Sequence, residues 1–541
     1  IPLTPEVKKA LVITDDALTP NELILAILKA PVDLLFNGGI GTYVKSSMES
    51  HADVGDKTNE FCRINGNELR CKIVGEGGNL GCTQLGRVEY ALNGGLINTD
   101  SIDNSAGVNC SDHEVNIKIL LNKEINQGNL TEKKRNQLLT RMTEEVSQLV
   151  LKDNYNQALV LSFSAMNTVS YSGLYQAYIK ELEGVVNLDR KVEFLPDDKQ
   201  LLERKASGQG LTRPELSILM AYTKIYITSE LLKSNVPDDP YFISILETGF
   251  PSLLKKNYAE PMEKHRLRRE IIATQLSNQI VNTVGITFIY RLHLETGQPI
   301  ADIARAYTIA AKSYQIENLH QLVDSLNYKL PVQTQYELLH HVRQLMNLAT
   351  RWFLHYRRLE GEIGQNIIHY SQSISKLEQS IPDLMAGVTR EYLDKMVTEF
   401  LGIGLPEDAA RKIATTRAMY TLLNIIEVAT QNKFDLKRTA EVYFKVGSQF
   451  SLVWFRDQIG NDSREGHWNN LARLSLRDEL DNLQRRLTIV ILTHNQKRLD
   501  AEELISYWFK RNQFIKERWK QLLEMLLDSS SIDYTIFFIA L

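Results

Sequence analysis

The chain has 541 residues, 43% of them hydrophobic and 24% charged, the balance of a globular protein rather than a disordered or collagenous one. Lys and Arg total 62 against 66 Asp and Glu, a net charge of −4, which argues against general electrostatic binding to nucleic acid or an anionic membrane. No apolar run approaches the ~20 residues of a bilayer span.

Other gross features narrow the class further. The N-terminus, Ile1-Pro2-Leu3-Thr4-Pro5, shows no signal-peptide pattern, and its lack of Met leads us to expect a fragment or a processed chain. Cys62, Cys71, Cys82 and Cys110 form neither a C-x-x-C pair nor a zinc-type spacing, so a reducing cytoplasm is expected. All four precede residue 128, as do nearly half of the 29 glycines. The first quarter is therefore expected to be α/β and the rest mainly α.

In chain order, Thr19-Pro20-Asn21-Glu22 is a capping box opening a helix to about Lys29. Val32-Asp33-Leu34-Leu35-Phe36 reads as a buried parallel strand running into Asn37-Gly38-Gly39. A second strand is expected over Leu69 to Val74, ending in Gly75-Glu76-Gly77-Gly78-Asn79, then a helix from about Gln84 to Leu92 closed by Asn93-Gly94-Gly95. Leu96 to Ile102 reads as a third strand, followed by a turn over Asp103 to Gly107 and a helix beginning near Ser111. Beyond residue 128 helical periodicity dominates: 133–152, 257–295, 301–325, 332–380, 390–401, 407–431, 435–458, 468–492 and 500–527, with Thr212-Arg213-Pro214-Glu215 as a further capping box. The apolar Tyr534 to Leu541 is expected to end a truncated helix rather than anchor a membrane.

Each strand of the first quarter thus ends in a loop of small residues, where open α/β sheets bind ligands. Gly75 to Thr83 is the strongest candidate. Its glycines admit a ribose or phosphate to the backbone, and the Asn79 amide both donates and accepts; a tight structural turn is the plainer alternative. Ser111 and Glu114 form an S-x-x-E box, which capping explains more simply than anion binding at a helix N-terminus. Asn37-Gly38-Gly39-Ile40-Gly41 is a third open loop. The polar run Glu49 to Asp56 is a solvated turn, so no metal is assigned. Lys45 and Lys72 read as exposed residues flanking strands. Trp352 to Arg358 reads as a helix with one core face and one solvent face. No G-x-G-x-x-G, Walker lysine loop or G-x-S-x-G elbow occurs.

The stretch from Pro31 to Leu121, with PVDLLFNGGIGTYVK, KIVGEGGNLGCTQLGRVEYALNGGLINTD and DNSAGVNCSDHEVNIKILL, closely resembles the large bacterial NAD-specific glutamate dehydrogenases; the helical remainder resembles their C-terminal region more diffusely. Gly75-Glu76-Gly77-Gly78-Asn79 is similar to the A-E-G-A-N loop of the wider superfamily. Asn104-Ser105-Ala106-Gly107-Val108 with Ser111 and Glu114 is similar to its N-A-G-G-V-x-x-S-x-x-E segment. The departures at Gly78, Ser105 and Ala106 are small-for-small.

The resemblance implies the C-terminal half of a Rossmann-like NAD-binding region over 1–128 and a helical region over 129–541, open to two sub-domains with a break near 296–330. It implies that Gly39, Gly77 and Asn79, flanked by Gly38 and Gly78, line the ribose nearest the nicotinamide. Asn104 would hold the carboxamide and Ser111 a substrate carboxylate. The catalytic lysine and aspartate and the pyrophosphate loop are expected upstream of Ile1, leaving no catalytic residue here. The implied cofactor is NAD and the implied substrates are L-glutamate and 2-oxoglutarate, in a cytoplasmic homo-oligomer that also contains the rest of the parent chain. Two alternatives stay open: a helical interaction or oligomerisation module, and a dehydrogenase for another amino acid.

Overall fold

The computed structural model describes all residues except 357–362, 386, 462–466, 494–498 and 528–541, so the apolar 534–541 stretch lies outside the described residues. The chain is mainly helical with small parallel sheets, and divides into two compact units, Ile1–Arg291 and Leu292–Leu541.

The first unit opens with α1 (Pro5–Leu11) and α2 (Pro20–Leu28). The capping box at α2 forms as expected: Glu22 accepts the Thr19 backbone N–H at 2.8 Å, and Thr19 Oγ1 accepts that of Glu22 at 3.4 Å. Strand β1 (Leu34–Asn37) follows, then β2 (Val44–Lys45), the short α3 (His51–Val54), β3 (Ile64–Asn65) and β4 (Ile73–Glu76). β1 pairs in parallel with β4, Leu34 opposite Ile73 through Asn37 opposite Glu76, and β2 pairs in parallel with β3. Helix α4 (Gln84–Leu92) ends at Asn93 with Gly94 at φ +92°, as the Asn-Gly-Gly run requires.

Three expectations are corrected here. β1 is parallel, but it is not buried: Leu34 is 53% and Phe36 65% exposed, because only its other face, through Leu35, joins the core of Val44, Ile64, Val74, Cys82 and Tyr90. The third strand reduces to a single parallel bridge from Leu96 to Ile73, after which the chain enters α5 (Asp100–Asp103). Side chains replace the ladder there: Asp100 accepts the Leu80 N–H at 2.8 Å, and Asp103 that of Glu76 at 3.0 Å. Finally, α6 (Ser105–Asn126) begins six residues before Ser111, with Asn104 ending α5 and opening α6, so the Ser111–Glu114 pair lies inside a helix and caps nothing.

Lys45 is also not exposed. It is buried in β2, with Nζ donating to Asn65 Oδ1 at 2.6 Å and to the Ser46 carbonyl at 3.1 Å; Lys72 is exposed and pairs with Asp33 at 2.7 Å. In the Glu49–Asp56 run, Ser50 and Asp53 cap α3, and Asp56 accepts from the Thr42 backbone and the Asn59 amide.

Beyond residue 128 the first unit continues through α7 (Glu132–Ala165), α8 (Ser172–Val185), α9 (Asp198–Ala206) and α10 (Arg213–Lys233), then shorter helices and Arg268–Val284. α7 packs along α6, and α10 packs against α4, α7 and Arg268–Val284. The Thr212 box forms, and its Glu215 is fully buried on Arg204 at 2.8 Å.

The secondary-structure elements described in the second unit are all helices. Long periodic stretches of sequence divide into two helices at residues with positive φ, Gln315 (+51°) and Ser451 (+52°), where the backbone leaves the right-handed helix. Trp352 and Phe353 are core residues, and Trp352 Nε1 donates to Asn424 Oδ1 at 2.8 Å. Among the described residues no helix is long and apolar enough to cross a membrane.

Candidate functional site

The strand ends carry the two glycine loops against each other. Gly78 N–H donates to the Asn37 carbonyl at 3.0 Å, and a Cβ on Gly78 would stand 2.5 Å from the Gly39 carbonyl oxygen. A Cβ on Gly77 would meet the Phe36 ring at 2.4 Å, and one on Gly81 the Asn37 amide at 1.8 Å. A side chain is thus excluded by backbone at Gly78, whereas at Gly77 and Gly81 it would require the Phe36 or Asn37 side chain to move. Gly39 differs: nothing lies within 4 Å of where its Cβ would be, and its face is open to solvent.

The arrangement is locked from beneath by Glu76. Its side chain is fully buried, accepting from Arg87 of α4 at 2.6 and 2.9 Å and from the Cys82 backbone N–H at 3.0 Å; Asp100 lies 3.4 Å from the same guanidinium. The acidic residue within the glycine run is thus a structural anchor for the loop.

Above that anchor, the side chains of Asn79 and Asn104 hydrogen-bond to each other, the Asn104 amide donating. They stand at a cavity of about 590 Å³ in the first unit, bounded also by Asp100, Asn109, Asp153 and Lys224. Asn109 Nδ2 donates to Asp153 at 2.9 Å, and Asn154 ties α7 to the α5–α6 junction through the Ile102 carbonyl at 2.8 Å and Ser105 Oγ at 3.0 Å. Asn278 and Asn282 complete one wall, and Asn282 Oδ1 is buried with no partner among the described residues. The Asn37 Nδ2 donor at the crossing of the loops is orphaned in the same way. Such groups mark places where a polar ligand or water completes the structure.

The fold therefore brings together Gly38, Gly39, Gly77, Gly78, Asn79 and Asn104. It does not bring Ser111 to the cavity: that residue is exposed on α6, past the first turn, while Val108 and Asp112 line the wall. No three His, Cys, Asp or Glu side chains converge as metal ligands among the described residues.

Lys224, on α10, has no counterpart in the sequence reading. Burial pushes its ammonium down to about 8, opposed by the carboxylate of Asp153. The only signal in the sequence is its spacing, four residues after the core residue Met220, which puts a lysine at the border of an apolar stripe. A lysine depressed in this way binds fewer protons folded than unfolded between about pH 8 and its free value of ~10.4, so stability should rise with pH over that window. Lys224→Met should flatten that segment of a denaturation-against-pH curve. An unchanged slope would mean the ammonium is solvated.

Residues 1–164 match the family described as "Bacterial NAD-glutamate dehydrogenase, catalytic domain", and residues 208–541 the family described as "Glutamate dehydrogenase, C-terminal". The chain belongs to the bacterial NAD-specific glutamate dehydrogenase family. It is 45% identical over 540 residues to the NAD-specific glutamate dehydrogenase of Pseudomonas aeruginosa and 42% identical over 540 to that of Halomonas elongata, in each case across 100% of this chain and 33% of the relative. The Mycobacterium tuberculosis enzyme of the same name is 38% identical over 514 residues, 94% of this chain and 32% of the relative. The chain thus spans about a third of the length of these glutamate dehydrogenases. The catalytic-domain match ends within α7, so the glycine loops, the asparagine pair and Asp153 all fall inside it, whereas Lys224 falls in the C-terminal match.

Proposed function

We propose that this chain supplies the nicotinamide end of the cofactor site in a larger enzyme that oxidises L-glutamate to 2-oxoglutarate and ammonia with NAD. The observation that carries the reading is the meeting of Asn79 and Asn104 at the mouth of a polar cavity, beside two glycine loops at the carboxyl ends of parallel strands. The fit to a nicotinamide riboside is supported by the open face of Gly39 and by the orphaned Asn37 and Asn282 amide atoms.

In this reading Gly39 and Gly77 admit the ribose to the backbone, with Gly38 and Gly78 keeping the loops closely crossed. Asn79 takes a ribose hydroxyl. Asn104, released from Asn79, holds the carboxamide and so fixes which ring face is presented. NAD when bound supplies the hydride acceptor. Lys224, set beside Asp153 in a wall that also holds Asp100 and Asp112, is read as one cation available to a substrate carboxylate, with the exposed Ser111 hydroxyl kept as the contact that the resemblance implies.

The two parallel strands are read as part of a Rossmann-like sheet. Exposed Leu34, Phe36, Ile73 and Leu96 support packing of another part of the parent chain on this face, since so much apolar surface on adjacent strands favours burial. The described helices of the second unit are read as an assembly element of a cytoplasmic oligomer.

The test compares the parent enzyme with this chain alone. The parent should reduce NAD with L-glutamate in preference to other amino acids, and the isolated 541 residues should show no such reduction. Glutamate-dependent turnover by the isolated chain, or a parent that ignores glutamate, would overturn the reading.

A further inference from the structure

The second unit holds a cavity of about 560 Å³ bounded by helices Val332–Tyr356, Glu407–Met419, Leu452–Asn461 and His467–Thr493. Three guanidinium groups line it, those of Arg417, Arg456 and Arg477. Two are already neutralised. Arg417 pairs with Asp457, and Arg456 donates to Asp481 at 2.7 and 3.1 Å and to Gln484 at 2.5 Å. Asp481 is itself 2% exposed and also accepts the Tyr420 hydroxyl at 3.0 Å, so its acceptor capacity is largely used.

Arg477 differs in having no hydrogen-bonded carboxylate among the described residues: it attracts Asp481 through space, but Asp481 is already bonded to Arg456. The Arg477 guanidinium lies over the Tyr420 ring, 5.8 Å from the centroid, and its Nε is buried with no hydrogen-bond partner among the described residues. A guanidinium has no acceptor function and cannot shed its proton, so this donor calls for an acceptor from a bound ligand or a water. The His341 imidazole in the same wall is pushed down to about 4, mainly by burial and further by His340 and Arg417.

We propose that this cavity binds a small organic acid carrying one carboxylate, held by Arg477, with its apolar body against Leu345, Leu348 and Phe444. One cation in excess matches one negative charge. A polyphosphate fits less well, because Asp457 stands in the wall and both other arginines are already paired. The volume is in the range of small-molecule pockets, roughly 300–1,000 Å³. The site uses no residue of the glycine-loop cavity and does not depend on the function proposed for it.

The test is calorimetric titration of the whole 541-residue chain with hexanoate, hexanamide and inorganic phosphate. Hexanoate should bind saturably at one site, with hexanamide and phosphate at least tenfold weaker. Arg477→Met should weaken hexanoate roughly tenfold or more, a factor equivalent to about 1.4 kcal/mol, whereas Arg477→Lys should retain part of the affinity. Equal binding of hexanoate and hexanamide, a stronger response to phosphate, no saturable hexanoate binding, or unchanged affinity in Arg477→Met would each overturn the proposal. The comparison of acid with amide uses the unaltered chain and so decides the matter even where Arg477→Met does not fold.

Discussion

Replacing Gly39 with leucine in the parent enzyme should raise KM for NAD by roughly 100-fold, the equivalent of about 2.8 kcal/mol of binding free energy, while leaving the protein folded. The reasoning is steric. Nothing lies within 4 Å of the Gly39 Cβ position, its φ is not in the left-handed region, and the residue is exposed, so the fold has room for a side chain. Exposed substitutions of this kind usually change stability by no more than about 0.5 kcal/mol. The space a leucine would take is the space the ribose is proposed to use. Measured KM for NAD together with a thermal melt separates the two: a normal KM would remove Gly39 from the cofactor site, and a large drop in melting temperature would make the residue structural instead.

The second large effect concerns stability. Arg87→Met should destabilise the first unit by about 3–5 kcal/mol, because it leaves the Glu76 carboxylate buried without its cation. Glu76 is fully buried and Arg87 is 4% exposed, with contacts of 2.6 and 2.9 Å. A double change, Glu76→Leu with Arg87→Met, should recover part of that loss, since it removes the fully buried carboxylate, while Asp100 still loses its guanidinium and the Cys82 N–H its acceptor. Denaturant unfolding of the single and double variants checks this. A single variant as stable as the original chain would mean that water reaches the pair, and the loop would then lack the rigid base described above.

These two cases show what the sequence could and could not reveal. The capping boxes at Thr19 and Thr212 and the helix Gln84–Leu92 were legible because each rests on local spacing, and β1 and β4 because each is a short apolar run leading into glycines. Leu96–Ile102 was not. Its apolar residues suit a strand, yet Thr99, Asp100 and Asp103 suit a helix start and take the backbone N–H groups of the glycine loop, a long-range hydrogen-bond arrangement that no local pattern encodes. The same applies to the start of α6: small residues over Ser105–Gly107 read as a turn, but Asn154 of α7 holds Ser105 in helix from 49 residues away. For the candidate site, the resemblance singled out Asn79 and Asn104, and the fold places their side chains in contact. Lys224 was hidden because its significance comes from packing α10 against the helix that carries Asn278 and Asn282. Glu76 was the reverse case, a charged residue within the most conspicuous motif whose work is done beneath the loop.

The most direct test of the central claim is a structure of the parent enzyme determined with NAD bound. The account predicts the nicotinamide riboside over Gly39 and Gly77, with the carboxamide within hydrogen-bond distance of Asn104 and the Asn79–Asn104 contact opened to admit it. Nicotinamide bound elsewhere, with the two asparagines still joined to each other, would contradict it.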